Sequence, residues 1–198
     1  TAVLTSFGSE SHIQITGTHD VDVYGTVLAG GSIGPSGVTW SGPDAQVTVT
    51  SQEQVYIQSG LLASGSITVQ GGEAGQYGND TDESREPLEE GDVARGLSVV
   101  LDTAGGLTSA GMTSDGTDAV IRVSGVNDVE IMGHILAGAD RQLLFDGFGN
   151  LIRDTIDWTS SNSGQIEIEA EGQVHIGGWA WTAASVEDDY VETGGYLA

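Results

Sequence analysis

The sequence predicts an all-β fold, a parallel β-solenoid of about four rungs with inserted loops and a β-hairpin. The first observation behind this prediction is a segment that recurs at residues 20–29, 54–63 and 128–137, with a partial copy at 173–178. The second is the composition, because 31 glycines, only three prolines and abundant Val, Ile and Thr favour short strands and turns. The third is that the apolar residues keep no long stripe at helical spacing, so we expect almost no helix.

The recurring segment is the end of a longer module. Each module contains a short strand, a polar turn, an alternating strand, a second alternating strand that ends at Gly or Ser, and a box that ends in Leu-Ala. Residues 37–49 align over residues 111–123 without a gap. The alternating strands are 34, 74 and 45 residues apart, counted from their first inward residues Ile13, Val47, Ile121 and Ile166. Spacing is constant inside modules and variable between them, which is typical of a solenoid whose insertions leave as loops.

The modules together predict a single solenoid domain, residues 1–198. Their approximate bounds are 2–36, 37–110, 111–154 and 155–198. The second module carries an insertion, residues 64–110, in which two apolar segments flank an acidic loop. The third returns through a predicted hairpin at 142–153, where apolar runs surround Asp-Gly and Gly-Asn pairs.

Stacking the modules places equivalent residues in columns. Two columns of inward aliphatic residues are predicted, Ile13, Val47, Ile121 and Ile166 in one and Val21, Val55, Val129 and Val174 in the other. Burying one such side chain contributes about 1.5–3 kcal/mol, so these columns are expected to hold the fold together. A turn column of small residues, which tolerate a positive φ, contains Gly25, Ser59, Gly133 and Gly178. A structural ladder of polar residues contains Asp20, Gln54, Asp128 and Gln173.

Charge narrows the range of partners. The chain has 29 acidic residues against five arginines and no lysine, which gives a net charge of −24 at pH 7. Such a surface repels phosphates and anionic lipids, so we expect no nucleic-acid partner and no membrane insertion. The absence of cysteine excludes disulfides and thiol chemistry. The chain starts at Thr1 without a signal-like segment, so we expect a processed chain or a segment of a longer one.

A family resemblance comes from the boxes. Residues 61–70, Leu-Leu-Ala-Ser-Gly-Ser-Ile-Thr-Val-Gln, and residues 27–33, Val-Leu-Ala-Gly-Gly-Ser-Ile, resemble repeats of filamentous-haemagglutinin-like large exoproteins and of giant bacterial surface proteins. The likeness covers the boxes of all four modules, although the rungs here are longer and carry large insertions. It implies a right-handed parallel β-helix at the cell surface or outside the cell, acting as an adhesin or a stalk.

The sequence shows no set of catalytic residues that would converge on one site, as an enzyme requires. Residues 30–34 match the Gly-x-Ser-x-Gly pattern of hydrolases, but no helix is predicted to follow the serine, as that motif requires. The histidines His12, His19, His134 and His175 fall in four different columns, which does not favour a metal site. The acidic residues on strands scatter over outward positions. We therefore predict no enzyme, with a carbohydrate-binding or carbohydrate-cleaving β-helix as the alternative.

Two groups of residues are candidates for binding. Asp80, Asp82 and Glu83 in the acidic loop could hold Ca²⁺, although the loop departs from the EF-hand pattern, and no other cofactor is expected. A Ca²⁺-dependent adhesion module is therefore a further alternative. Trp179, Trp181, Tyr196 and Phe148 are candidate contacts for assembly or for a ligand such as a polysaccharide or a host surface.

Neither end of the sequence contains a recognisable cap, although solenoids normally need polar capping elements. We therefore expect the terminal rungs to stack end to end on neighbouring modules or on a second copy of the chain. The predicted function is that of a structural or adhesive segment of an extracellular bacterial filament or giant surface protein.

Overall fold

The computed structural model describes residues 3–34, 37–73, 97–102, 111–138, 140–145, 151–157, 163–182 and 191–193. All regular elements in these ranges are β-strands, so the all-β prediction is confirmed. Most strands belong to three parallel sheets, and four form two antiparallel hairpins.

The strands of each sheet lie in the following order. Sheet I contains β2 (His12–Gly17), β7 (Gln46–Ser51), β10 (Ser66–Gly71), β13 (Asp118–Gly125), β18 (Ser163–Ala170) and β21 (Val191–Thr193). Sheet II contains β3 (Val21–Val23), β8 (Val55–Ile57), β11 (Leu97–Leu101), β14 (Asp128–Ile131) and β19 (Val174–Ile176). Sheet III contains β1 (Val3–Ser6), β4 (Thr26–Ala29), β9 (Gly60–Ala63), β12 (Gly111–Ser114), β15 (His134–Ala137) and β20 (Trp179–Thr182). The hairpins are β5 (Gly31–Gly34) with β6 (Gly37–Trp40), and β16 (Asp140–Phe145) with β17 (Leu151–Asp157).

The chain visits sheets I, II and III in turn, and each new strand pairs in parallel with the strand of the preceding turn. This path is consistent with a β-solenoid. Five complete turns lie within the described residues: β2–β3–β4, β7–β8–β9, β10–β11–β12, β13–β14–β15 and β18–β19–β20.

The number of turns differs from the sequence prediction of about four. The predicted insertion at 64–110 contains β10 and β11, and together with β12, which the prediction assigned to the next module, they form a complete turn in register with its neighbours. This turn lacks the Leu-Ala box, since β12 has the sequence Gly-Met-Thr-Ser. The ungapped alignment of 37–49 over 111–123 also matched strands that are not equivalent, because β6 belongs to a hairpin and β12 belongs to sheet III.

The core confirms both predicted columns and adds a member to each. In sheet I, Ile67 lies between Val47 and Ile121, and in sheet II, Val99 lies between Val55 and Val129. These six side chains are each at most 1% exposed.

The predicted polar ladder is also confirmed. The Asp20 carboxylate accepts a hydrogen bond from the Gln54 backbone N–H at 3.1 Å, and Asp128 accepts one from Gln173 at 2.7 Å.

The four middle strands of sheet III, β4, β9, β12 and β15, are buried on both faces. Val27 and Ala29 of β4 point into the core, so Leu28 between them points outward, yet it is fully buried. Its counterparts in neighbouring turns, Leu62, Thr113 and Leu136, are buried as well. The two hairpins leave the solenoid directly after β4 and β15, and they adjoin each other through β6 and β16.

The hairpins begin at glycines in the left-handed region. Gly30 follows the box of β4 and Gly138 follows the box of β15, and both have a φ of 77°, which is favourable only for glycine. The hairpin predicted at 142–153 is confirmed by the antiparallel pairing of β16 with β17.

The turn column does not adopt the positive φ that its small residues would tolerate. Positive φ values in the described ranges occur at Gly8, Gly30, Gly37 and Gly138, and not in the predicted column. Gly178, a member of that column, is required for a different reason. A Cβ atom there would overlap the backbone carbonyl of Gly133 in the preceding turn.

The additional turn can be tested by placing a charge in it. We expect Val99→Asp to be as damaging as Val129→Asp, since both side chains are fully buried in the same column. An uncompensated buried charge costs about 3–5 kcal/mol, which lowers the Tm by roughly 10 °C or unfolds the chain. Thermal unfolding followed by circular dichroism measures this effect. His175→Asp, at an exposed position of the same sheet, is the control. A Tm of Val99→Asp close to that of the control would place β11 outside the stack.

The outer column of sheet III offers a second test. The Thr113 hydroxyl is buried among described residues and has no hydrogen-bond partner. We expect Thr113→Val to leave stability unchanged or to raise it by about 1 kcal/mol, because a buried polar group without a partner is unfavourable. Leu62→Thr, which creates a second such hydroxyl in the neighbouring turn, should destabilise by about 1–3 kcal/mol. Urea unfolding compares the variants. A loss of stability in Thr113→Val would show that the hydroxyl is satisfied.

Candidate functional site

Most of the residues singled out by the sequence lie outside the described ranges. This applies to Asp80, Asp82, Glu83, Phe148 and Tyr196, so the calcium hypothesis stays a prediction. The backbones of Trp179 and Trp181 lie in β20, in register with His134 and Leu136 of β15. Their role as contact residues stays a prediction.

The first candidate surface is the N-terminal end of the stack. Within the described part of the chain, β1, β2 and β3 each pair on one side only, so their other edges carry open backbone N–H and C=O groups. Three apolar side chains at this end are strongly exposed: Val3 at 51%, Leu4 at 49% and Phe7 at 67%. This end therefore combines strand edges with exposed apolar surface.

The second candidate surface is the outward face of sheet II. Val21 and Val23 of β3 point into the core, so Asp22 and Tyr24 point outward. The equivalent outward positions in the next turn are Tyr56 and Gln58. The registers of β3 with β8 and of β8 with β11 bring these residues beside Val100 and Asp102.

A hydrogen-bond network fixes the centre of this face. The Tyr56 hydroxyl donates to Asp102 Oδ2 at 2.7 Å and accepts from the Gln58 side-chain amide at 3.3 Å. The ring of Tyr56 packs against Leu97 and Val100 in a small cluster separate from the main core. The Tyr24 ring lies 6.0 Å from the Tyr56 ring, tilted by 59°. Tyr56 is thus held on several sides, and it supports Tyr24.

Tyr56 and Tyr24 differ in their surroundings. Tyr56 is only 8% exposed, whereas Tyr24 is 59% exposed. Burial, together with the hydrogen bond and the negative charge of Asp102, raises the pKa of Tyr56 above its ordinary value. The hydroxyl therefore stays protonated at neutral pH and serves as a donor to Asp102.

A third feature is a shallow depression of about 350 Å³ at the corner between sheets I and II. Its lining includes Val126, Glu169 and Glu171. It forms because small residues occupy the ends of the sheet I strands. At Gly71, for example, a Cβ atom would overlap the backbone carbonyl of Ser98. The depression is open and contains no convergent donor set.

The histidines lie on separate elements, in agreement with the sequence prediction. His12 lies in β2, His134 in β15 and His175 in β19, while His19 lies in the turn before β3 and pairs with Glu53. The described residues contain no group of three or more His, Asp or Glu side chains that could hold a metal ion. The same ranges contain no helix long and apolar enough to cross a membrane.

The His19–Glu53 pair gives a testable titration. The hydrogen bond that the His19 ring donates to the Glu53 carboxylate, together with the negative charge of that carboxylate, raises the pKa of His19 above 6.5. Because this pKa is raised, any stabilisation by the pair is present below pH 6.5 and is lost as the pH rises through the folded-state pKa. The stabilisation should be small, since the His19 side chain is 83% exposed. Titration by NMR should show the His19 pKa falling towards 6.5 in Glu53→Gln. An unchanged titration in that variant would rule out the pair in solution.

Comparisons with known proteins give no independent identification of the site. No protein-family model, no curated protein and no solved structure matches the chain. The resemblance of the boxes to large exoprotein repeats therefore stays a prediction. The function of the chain has to be argued from its two candidate surfaces, the N-terminal end of the stack and the outward face of sheet II.

Proposed function

We propose that the chain is a structural and adhesive β-solenoid segment of an extracellular bacterial filament or giant surface protein. In this proposal its turns form a right-handed parallel β-helix, since crossovers between parallel strands are right-handed in almost all proteins. The observation that carries the proposal is the N-terminal end of the stack, where open strand edges coincide with exposed Val3, Leu4 and Phe7.

The geometry of the edges favours a partner of the same kind. A strand added to β1, β2 or β3 in parallel would continue the three sheets, and a further turn would also cover the three apolar side chains. Such a turn could come from a neighbouring module or from a second copy of the chain. Between copies, the N-terminal end of one would meet the C-terminal end of the next. A head-to-tail contact that does not close into a ring produces a filament.

The acidic surface supports end-to-end contact over lateral contact. With a net charge of −24, the sides of two copies repel each other. The N-terminal end is the part of the described surface where several exposed apolar residues are close in sequence. Burying them offsets the repulsion at that end only. The proposed location outside the cell rests on the resemblance of the boxes to large exoproteins.

The proposal predicts concentration-dependent assembly that one charge at the end prevents. We expect the purified chain to form end-to-end assemblies, visible by electron microscopy and as larger species in sedimentation velocity. Leu4→Glu should shift the chain to monomers, because it places a charge on an exposed apolar residue beside an open strand edge.

Ile33→Glu is the matched control. It adds the same charge at an apolar residue of similar exposure, 40%, but in the hairpin strand β5. Circular dichroism should show that both variants fold. Assembly that persists in Leu4→Glu, or a wild-type chain that stays monomeric at high concentration, would contradict stacking between copies through this end.

A further inference from the structure

The outward face of sheet II contains a row of polar and aromatic residues that lies outside the main core. Tyr24, Gln58 and Asp102 each follow the last residue of their strand. The Gln58 backbone N–H bonds to the Val23 carbonyl at 3.0 Å, and the Asp102 N–H bonds to the Ile57 carbonyl at 2.9 Å. The three residues therefore lie side by side on successive turns, at the strand spacing of about 4.8 Å.

The row is rigid at its centre and exposed at one end. Tyr56 connects its members, because its hydroxyl bonds to both Gln58 and Asp102 and its ring contacts that of Tyr24. Tyr24 keeps 59% of its surface exposed although this second ring lies beside it. A supported aromatic ring next to an oriented amide and a carboxylate gives an amphipathic surface with little conformational freedom left to lose on binding.

This combination matches the chemistry of a sugar chain. One face of a pyranose ring presents C–H groups that pack on an aromatic ring, while its hydroxyl groups both donate and accept hydrogen bonds. A carboxylate accepts several hydrogen bonds at once, and an amide does both. We propose that this face binds a neutral polysaccharide, with a sugar ring on Tyr24 and hydroxyl groups bonded to Gln58 and Asp102.

Charge selects the class of polysaccharide. Asp22 and Glu130 flank the row on the same outward face, and the whole chain carries −24. Uronic-acid or sulfated chains are therefore repelled, as is a nucleic acid whose bases could otherwise stack on Tyr24. The proposal does not require end-to-end assembly, because Tyr24, Gln58 and Asp102 all belong to one copy of the chain, although Tyr24 directly follows the edge strand β3.

Native gel electrophoresis through dissolved polysaccharide tests this proposal on the full chain. The probes are mixed-linkage β-glucan, xyloglucan and galactomannan as neutral chains, and polygalacturonate as the anionic one. We expect at least one neutral chain to retard the protein and polygalacturonate to leave its migration unchanged. Tyr24→Ala should weaken the retardation about tenfold in dissociation constant, a change within the range of one aromatic contact, while Tyr24→Phe should preserve it.

Two controls separate this result from other effects. Phe7→Ala removes a more exposed aromatic residue at the N-terminal end and should leave the retardation unchanged. Leu4→Glu should also keep it, so that a failure of the assembly proposal and a failure of this one can be distinguished. Lack of retardation by all three neutral chains, or retardation that Tyr24→Ala leaves unchanged, would overturn the proposal. Retardation by polygalacturonate alone would overturn it too.

Discussion

The in-register stacking of aliphatic side chains between parallel strands is the interaction on which the whole structure depends. Val47, Ile67, Ile121 and Ile166 succeed one another in sheet I and are at most 1% exposed. Each such burial contributes about 1.5–3 kcal/mol. A slip of one residue would turn a whole strand inside out, because side chains alternate between the two faces. Register is therefore the constraint that every turn has to meet, and positions that do not affect it are free to vary.

The corners show how this constraint is met while the connections differ in length. The Ser98 hydroxyl is fully buried and donates to the Gly72 carbonyl at 2.5 Å, while it accepts from the Asn127 N–H at 2.8 Å. It thus links the corner of its own turn, at Gly72, to Asn127 in the next turn, beside a bulge in β11. At the corner that follows sheet III, the residue after the box determines which strand comes next. Gly30 and Gly138 lead into hairpins, whereas Ser64 leads directly from β9 to β10. Short polar residues and glycines adapt the connections, and the strands stay in place.

The sequence predicted the features that repeat, since a repeated residue reveals its partners. The two inward columns and the ladder of Asp20 and Asp128 were predicted for this reason. The third turn was not recognised because Met112 and Thr113 replace the usual box and because a long segment separates β10 from β11. The site on sheet II could not be predicted at all. Tyr56 and Asp102 are 46 residues apart, and only the register of the inserted turn brings them into contact.

This division between repeated and unrepeated residues also indicates where recognition is located. Most inward positions of the described strands are apolar and pack in the common core. Outward positions of sheet II change from Tyr24 to Gln58 to Asp102 along one row, and none of the three belongs to the main core. A partner that binds this row would therefore contact residues whose identity the core does not constrain. The proposed extension at the end of the stack differs, because an added strand would pair through backbone groups whose spacing is set by the sheets. Both proposals, extension at the end and binding at the side, thus depend on the same register.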